Sequence, residues 1–132
     1  MDYHIHPEIF PAETTNKGLG VFTRADLAAD TIIESSSVLV MDPDARPLLD
    51  KTRLHDYIFE WNPDGQNLCC VALGYLSLYN HSYQSNCEYF MDYDHDIMQI
   101  KTCRDIPAGT ELCINYNGDW DDPKPVWFEV AS

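Results

Sequence analysis

The chain reads as a mainly β domain of the α+β kind, with several short strands, one or two short helices and long irregular connections. Three observations point that way. Short β-branched and aromatic runs alternate with turn-forming clusters, among them Asn16-Lys17-Gly18-Leu19-Gly20 and Pro107-Ala108-Gly109-Thr110. The stretch YFMDYDHDIMQIKTCRDI has two strand-like halves around an acidic turn, Asp92 to Asp96, and predicts a hairpin. Only Leu48 to Phe59 spaces its apolar residues, Leu48, Leu49, Leu54, Tyr57 and Ile58, near helical intervals, which predicts one short helix.

In chain order, the N-terminal MDYHIHPEIFPAE reads as an exposed lead-in, and the Asn16 to Gly20 turn feeds a short strand, Val21-Phe22-Thr23. The segment ADLAADTIIESSSVLVM ends in β-branched Val38 and Val40 and predicts a turn followed by strands. Pro43 and Pro47 punctuate an acidic loop before the predicted helix, and NPDGQN makes a polar turn after it. The apolar run Leu68 to Tyr79 is readable as buried helix or strand, with Gly74 in its middle. After the hairpin, the Pro107 to Thr110 turn introduces a last strand, Glu111 to Tyr116, and the tail GDWDDPKPVWFEVAS is polar with aromatics.

A length of 132 residues suits one domain over 1–132, with the motifs between about 16 and 120 and a tail at 121–132. The chain carries 8 basic and 22 acidic residues, a formal charge of −14, which opposes phosphate backbones and favours basic partners; direct nucleic-acid binding is not expected. Cys69, Cys70, Cys87, Cys103 and Cys113 are odd in number, sit mostly in apolar runs and lack metal-ligand spacing, so they read as buried free thiols in a reducing, intracellular compartment. The N-terminus shows no secretory pattern, no apolar run approaches the roughly 20 residues of a membrane span, and His4-x-His6 reads as a surface pair rather than a metal site.

Three polar islands each have an ordinary reading when seen alone. Gly18-Leu19-Gly20 lacks the third glycine and the flanking elements of a dinucleotide loop. Asn80-His81-Ser82 reads as a helix C-terminus, and Asn115-Tyr116-Asn117-Gly118 as a strand entering an asparagine-glycine turn. Their order adds something. A G-x-G loop leading into Val21-Phe22, an apolar run ending in Asn80-His81-Ser82 with Asn86 beyond it, then D-I-P-A-G-T-E-L followed by Tyr116, resembles the SET-domain family of protein-lysine methyltransferases. The likeness spans Lys17 to about Trp120 and is greatest to the small viral members, which also carry a D-Y-x-F segment, here Asp56-Tyr57-Ile58-Phe59.

The resemblance implies a β-clip of several small sheets with short helices and a C-terminal pseudoknot, in which the Asn80-His81 segment forms the cofactor floor. It implies S-adenosylmethionine as cofactor, with Gly18, Leu19, Gly20, Asn80, His81 and Tyr116 about it. It also implies Tyr116 and Tyr57 as catalytic residues, and a substrate channel of Tyr57, Tyr116 and Trp120. The residue types suit methyl transfer, since displacement at a sulfonium needs a neutral amine held in line and dehydrated, and needs neither metal nor strong base. Aromatic faces tolerate the lysine's cationic head, and hydroxyls orient its amine. Tyr57 also reads as a core aromatic with its hydroxyl at the surface.

Departures from the family pattern stand at Tyr83 and Ser85, which predict a looser loop, at Asn117, and at Leu19, where small viral members can carry an aromatic. The family's cysteine-rich zinc module is absent from the sequence, so Trp120, Trp127 and Phe128 become candidates to wall the channel. The expected partner is a lysine-containing basic protein, histone-like or other, with a second copy of the chain as a possible homodimer partner. Two other functions compete: a weak or inactive SET domain binding a basic peptide or the cofactor, and a small-molecule methyltransferase, against which the missing doubly wound glycine-rich pattern argues.

Overall fold

Ten strands and a single α-helical turn are described in a computed structural model covering residues 3–116. The longest strand, β4 (Ile32–Met41), organises one sheet. It pairs antiparallel along one edge with β9 (Ile97–Thr102) and along the other with β1 (His4–Ile5) and then β6 (Leu68–Ala72). β5 (Ile58–Trp61) adds outside β6, and β8 (Cys87–Asp92) outside β9. A second sheet runs in the order β2 (Ile9–Glu13), β3 (Leu19–Thr23), β10 (Glu111–Ile114), β7 (Asn80–His81), and its β7–β10 pairing is parallel.

Local chemistry explains most of these elements. In the β8–β9 hairpin, the Asp92 carboxylate accepts hydrogen bonds from the amides of Asp94 and His95, and Asp96 takes a left-handed backbone, so side chain and backbone together make the turn. The β2–β3 turn closes through Thr14, whose amide and hydroxyl both donate to the Gly18 carbonyl while Gly18 sits at φ +74. Between the sheets lies a core that includes Val21, Ile33, Trp61, Leu76, Met98, Ile100, Leu112 and Ile114. Burying such side chains contributes about 1.5–3 kcal/mol each.

Three expectations are corrected. The N-terminal lead-in forms strands β1 and β2, and Ile9 is core at 3% exposure. The helix expected over Leu48 to Phe59 is broken. α1 spans only Arg46–Leu49, a separate 3-10 turn covers Arg53–Tyr57, and residues from Ile58 onward are strand. Thr52 ends one piece and starts the next, donating to the Leu49 carbonyl and accepting from the Leu54 amide, while Ile58, Phe59 and Trp61 find ladder partners on β6. Tertiary pairing overrides weak local helix preference. The loop at Tyr83 and Ser85 is also closely held. Ser85 is fully buried with its hydroxyl on the Cys87 carbonyl, and the Asn86 side chain bonds both the carbonyl of Glu111 and the amide of Cys113.

The ambiguous run Leu68 to Tyr79 divides into β6, a turn at Gly74 (φ +62), a 3-10 turn at Leu76–Leu78 and an extended Tyr79 entering β7. Cys69, Cys70 and Cys87 are buried, Cys103 and Cys113 half-buried, and all five thiols are free. Among the described residues, no helix is long and apolar enough to cross a membrane, and no cluster of His, Cys, Asp and Glu could hold a metal ion.

Candidate active site

The parallel pairing of β7 with β10 sets Asn80 beside Cys113 and His81 beside Ile114, which brings two of the three motifs together at the end of β10. Tyr116 follows directly and is held at three backbone and side-chain atoms. Its amide donates to His81 Nδ1 at 3.0 Å, its hydroxyl donates to the Tyr79 carbonyl at 2.8 Å, and its carbonyl accepts from the Tyr89 hydroxyl at 3.3 Å. Accepting at Nδ1 requires that nitrogen to be unprotonated. Burial favours the same state, holding the His81 pKa below its ordinary 6.5.

Tyr116 forms part of the wall of a cleft of about 600 Å3. Tyr57, Phe59 and Tyr89 line it too, with Asp56 and Glu60 among its acidic members. The Phe59 ring lies 6.1 Å from that of Tyr89 and meets Tyr116 edge-on at 6.5 Å. Such spacing is ordinary for packed aromatic pairs. Burial raises the Tyr116 hydroxyl well above its usual range, with Tyr57 and Asp56 adding to the rise, so Tyr116 is a neutral phenol at physiological pH. It is a hydrogen-bonding group here and cannot serve as a general base.

The G-x-G turn stands on the other side of Asn80. The Asn80 amide donates to the Leu19 carbonyl at 3.1 Å and to Glu111 Oε2 at 2.7 Å, while Glu111 Oε1 takes the Lys17 ammonium at 3.0 Å. A β-carbon on Gly20 would fall 2.5 Å from Glu111 Oε2 and 2.9 Å from the Asn80 amide nitrogen, so any larger residue must displace these side chains or β3 itself. Leu19 itself is half-exposed at 48%.

Of the residues expected from sequence, Tyr57 and Tyr116 meet in the cleft, and Gly18, Leu19, Gly20 and Asn80 gather at the loop. His81 connects the two groups, its ring 5.2 Å from that of Tyr116. Trp120, Trp127, Phe128 and Asn117 lie outside the described residues. Sequence reasoning missed Lys17 and Glu111, although both lie within or beside quoted motifs, and missed Tyr89, for which the strand pattern carried no signal. His4 and His6 lie 6.4 Å apart ring to ring, and His6 Nδ1 accepts the Glu8 amide.

The chain is similar to known proteins. The chain is 34% identical over 118 residues to the histone-lysine N-methyltransferase, H3 lysine-37 specific, of Schizosaccharomyces pombe, covering 89% of this chain and 74% of that protein. A crystal structure of a Plasmodium falciparum protein, described as a candidate histone methyltransferase, superposes with a TM-score of 0.67 at 28% identity, over 88% of this chain and 98% of that one. The SET domain family matches residues 18–117, from the first glycine of the loop to the residue after Tyr116, and the chain therefore belongs to the SET-domain family.

Proposed function

We propose that the protein is an S-adenosylmethionine-dependent protein-lysine N-methyltransferase that acts on a lysine of a basic protein, histone-like or other. The observation that carries this reading is the Tyr116 phenol, held by Tyr79 and His81 in the wall of an aromatic cleft beside the joined loop and Asn80-His81 motifs. Membership of the SET-domain family and the named lysine-methylating relative support it.

The residues present fit the cofactor. Its amino-acid end is a zwitterion, and the Lys17 ammonium, Glu111 carboxylate and Asn80 amide collected at the glycine loop offer partners for both charges. Gly20, lacking a β-carbon, lets the Glu111 and Asn80 side chains lie close against its backbone. S-adenosylmethionine, when bound, supplies an electrophilic methyl group on a sulfonium.

The chain's own residues then position and dehydrate. Asp56 and Glu60 attract an incoming ammonium, raising encounter rates. The rings of Tyr57, Phe59 and Tyr89 receive the alkyl stem and displace its water. A partly dry site lowers an amine's pKa, which favours the neutral nucleophile. The Tyr116 oxygen, its proton directed to the Tyr79 carbonyl, presents acceptor character to the amine or to a polarised methyl group.

The test is Tyr116→Phe, assayed for methyl transfer to a lysine-rich peptide and, by calorimetry, for S-adenosylhomocysteine binding. Transfer should fall at least about a hundredfold with affinity retained. Unchanged turnover refutes the role given to Tyr116, and a wild-type chain that binds without transferring is an interaction module. Pairing of two chains belongs to the same reading. Half-exposed Leu39, Leu48 and Leu73 offer apolar surface for it, and a monomeric mass by light scattering at micromolar concentration would exclude it.

A further inference from the structure

Glu34 is a carboxylate with no solvent exposure, placed on β4 in the middle of the core. An ionised group there loses its hydration and is retained only when several donors replace the water. Three do. The Tyr79 hydroxyl donates to Oε1 at 2.9 Å, and the Ser36 hydroxyl and the Tyr75 amide each donate to Oε2 at 2.8 Å. Gly74 is fitted to the same group, since a β-carbon there would overlap Glu34 Oε2 and the Ser36 hydroxyl. Well-packed apolar residues commonly match or exceed the stability of a buried charge, so stability alone does not call for a glutamate at this position.

Its partners show what it holds. Tyr75 and Tyr79 bracket the 3-10 turn Leu76–Leu78, so one carboxylate grips the segment at both ends. That segment touches two tyrosines of the cleft, Tyr57 and Tyr116. The Ser77 hydroxyl donates to the Tyr57 carbonyl at 3.0 Å, and the Tyr79 carbonyl accepts the Tyr116 hydroxyl at 2.8 Å. The following residues, Asn80 and His81, form β7 in the other sheet, and His81 receives the Tyr116 amide. Glu34 is therefore the side-chain tie between the central strand of one sheet and the turn that places Tyr57 and Tyr116 relative to each other.

We infer that Glu34 is a positioning residue for methyl transfer: by clamping Tyr75 and Tyr79 it fixes the Tyr79 carbonyl that orients the Tyr116 hydroxyl. Burial raises the Glu34 carboxyl above its ordinary 4.5 while its three hydrogen bonds oppose that rise. Burial likewise pushes the Tyr79 phenol well above 10, keeping it a donor. The inference rests on the transfer activity proposed above. Deleting the clamp should lower the rate of the chemical step and leave ligand affinity alone, because no clamp atom is assigned to a ligand.

Two substitutions open the clamp with little change of volume. Tyr79→Phe keeps the ring and the carbonyl and removes the donor. Glu34→Gln has one acceptor oxygen where the carboxylate has two, so it cannot satisfy all three donors in the same way. Single-turnover transfer from S-adenosylmethionine to a lysine-rich peptide, at saturating concentrations, should slow about tenfold or more in each. Calorimetric affinity for S-adenosylhomocysteine should stay within about twofold. Ser36→Ala removes a bond from the same carboxylate but no contact to Tyr79, and should stay within about threefold of the wild-type rate. On a Tyr116→Phe background, Tyr79→Phe should alter the residual rate by less than about twofold, because the clamp acts through the missing hydroxyl.

Wild-type rates in Glu34→Gln and Tyr79→Phe, with Tyr116→Phe slow, overturn the clamp and leave the proposed activity standing. A fall in Ser36→Ala equal to that in Tyr79→Phe, following melting temperature, makes Glu34 a structural residue only and also overturns it. A wild-type chain that transfers no methyl group overturns both readings.

Discussion

Replacing Gly20 by alanine tests whether the glycine loop and Asn80 form one unit. The new methyl carbon would stand 2.5 Å from Glu111 Oε2, 2.9 Å from the Asn80 amide nitrogen and 3.0 Å from Thr14 Cγ2. Unstrained carbon contacts lie near about 3.5–4.0 Å, so something must move by several tenths of an ångström or more. If the side chains yield, the 2.7 Å bond between Asn80 and Glu111 is lost, a charge-assisted interaction worth about 1.5–3 kcal/mol. If β3 yields instead, overpacking costs about 1–3 kcal/mol. Both routes converge on roughly 2 kcal/mol. For a domain of this size that lowers Tm by about 6–10 °C. If the displaced Asn80 takes the loss at the cofactor, affinity falls about thirtyfold.

The control is Gly18→Ala. Beyond its chain neighbours, no atom of the described residues lies within 4 Å of a β-carbon there, so the substitution meets the strain of φ +74, about 1 kcal/mol, with little effect on ligand affinity. Thermal melts and calorimetric titration with S-adenosylhomocysteine measure both quantities. If Gly20→Ala melts within about 1 °C of wild type and binds the ligand equally well, the close-approach argument is refuted.

Asn80→Ala should remove the ties to Leu19 and Glu111, weaken S-adenosylhomocysteine binding at least about tenfold, and leave Lys17 paired with Glu111; an unaltered affinity by calorimetry would make Asn80 a local brace only. His81 should make stability fall on acidification. Its folded pKa lies below the ordinary 6.5, so the stability that the neutral ring contributes is complete above about 6.5 and lost as pH falls through the folded value. Urea titrations from about pH 8 to about pH 5 should show this, and a His81→Asn variant should lose the histidine's share of the slope. Ile9→Ala should destabilise by about 2–3 kcal/mol by urea denaturation, because Ile9 is core; an effect below about 0.5 kcal/mol would return the N-terminal segment to a surface role.

Sequence carried more of the site than of the elements that build it. Gly18-Leu19-Gly20, Asn80-His81 and Tyr116 each read as ordinary turns or ends when seen alone, and it was their order along the chain, resembling the SET-domain family, that singled them out. The β8–β9 hairpin was legible because Asp92 and Asp96 encode its turn locally. The helix expected over Leu48 to Phe59 failed for a complementary reason. Spacing of Leu54, Tyr57 and Ile58 suits a helix in isolation, but β6 supplies a strand edge that no local pattern reveals, and residues from Ile58 onward pair with it. The same blindness hid β1, whose partner β4 lies elsewhere in the chain, whereas β2 forms a local hairpin with the adjacent β3 that the lead-in reading missed.

By itself, the sequence determined the mainly β character and the acidic charge, because each depends on composition or on neighbours within a few positions, and the order of its three islands of polar residues carried the family resemblance. Tertiary structure alone decided which of those residues meet. Parallel pairing of β7 with β10 joined Asn80 and His81 to the Tyr116 strand. A carboxylate on β4, some forty residues away, came to clamp the turn beneath the cleft. The physical reason is that a buried polar group is satisfied by whichever donors the fold brings within about 3 Å, and distance along the chain does not encode that proximity.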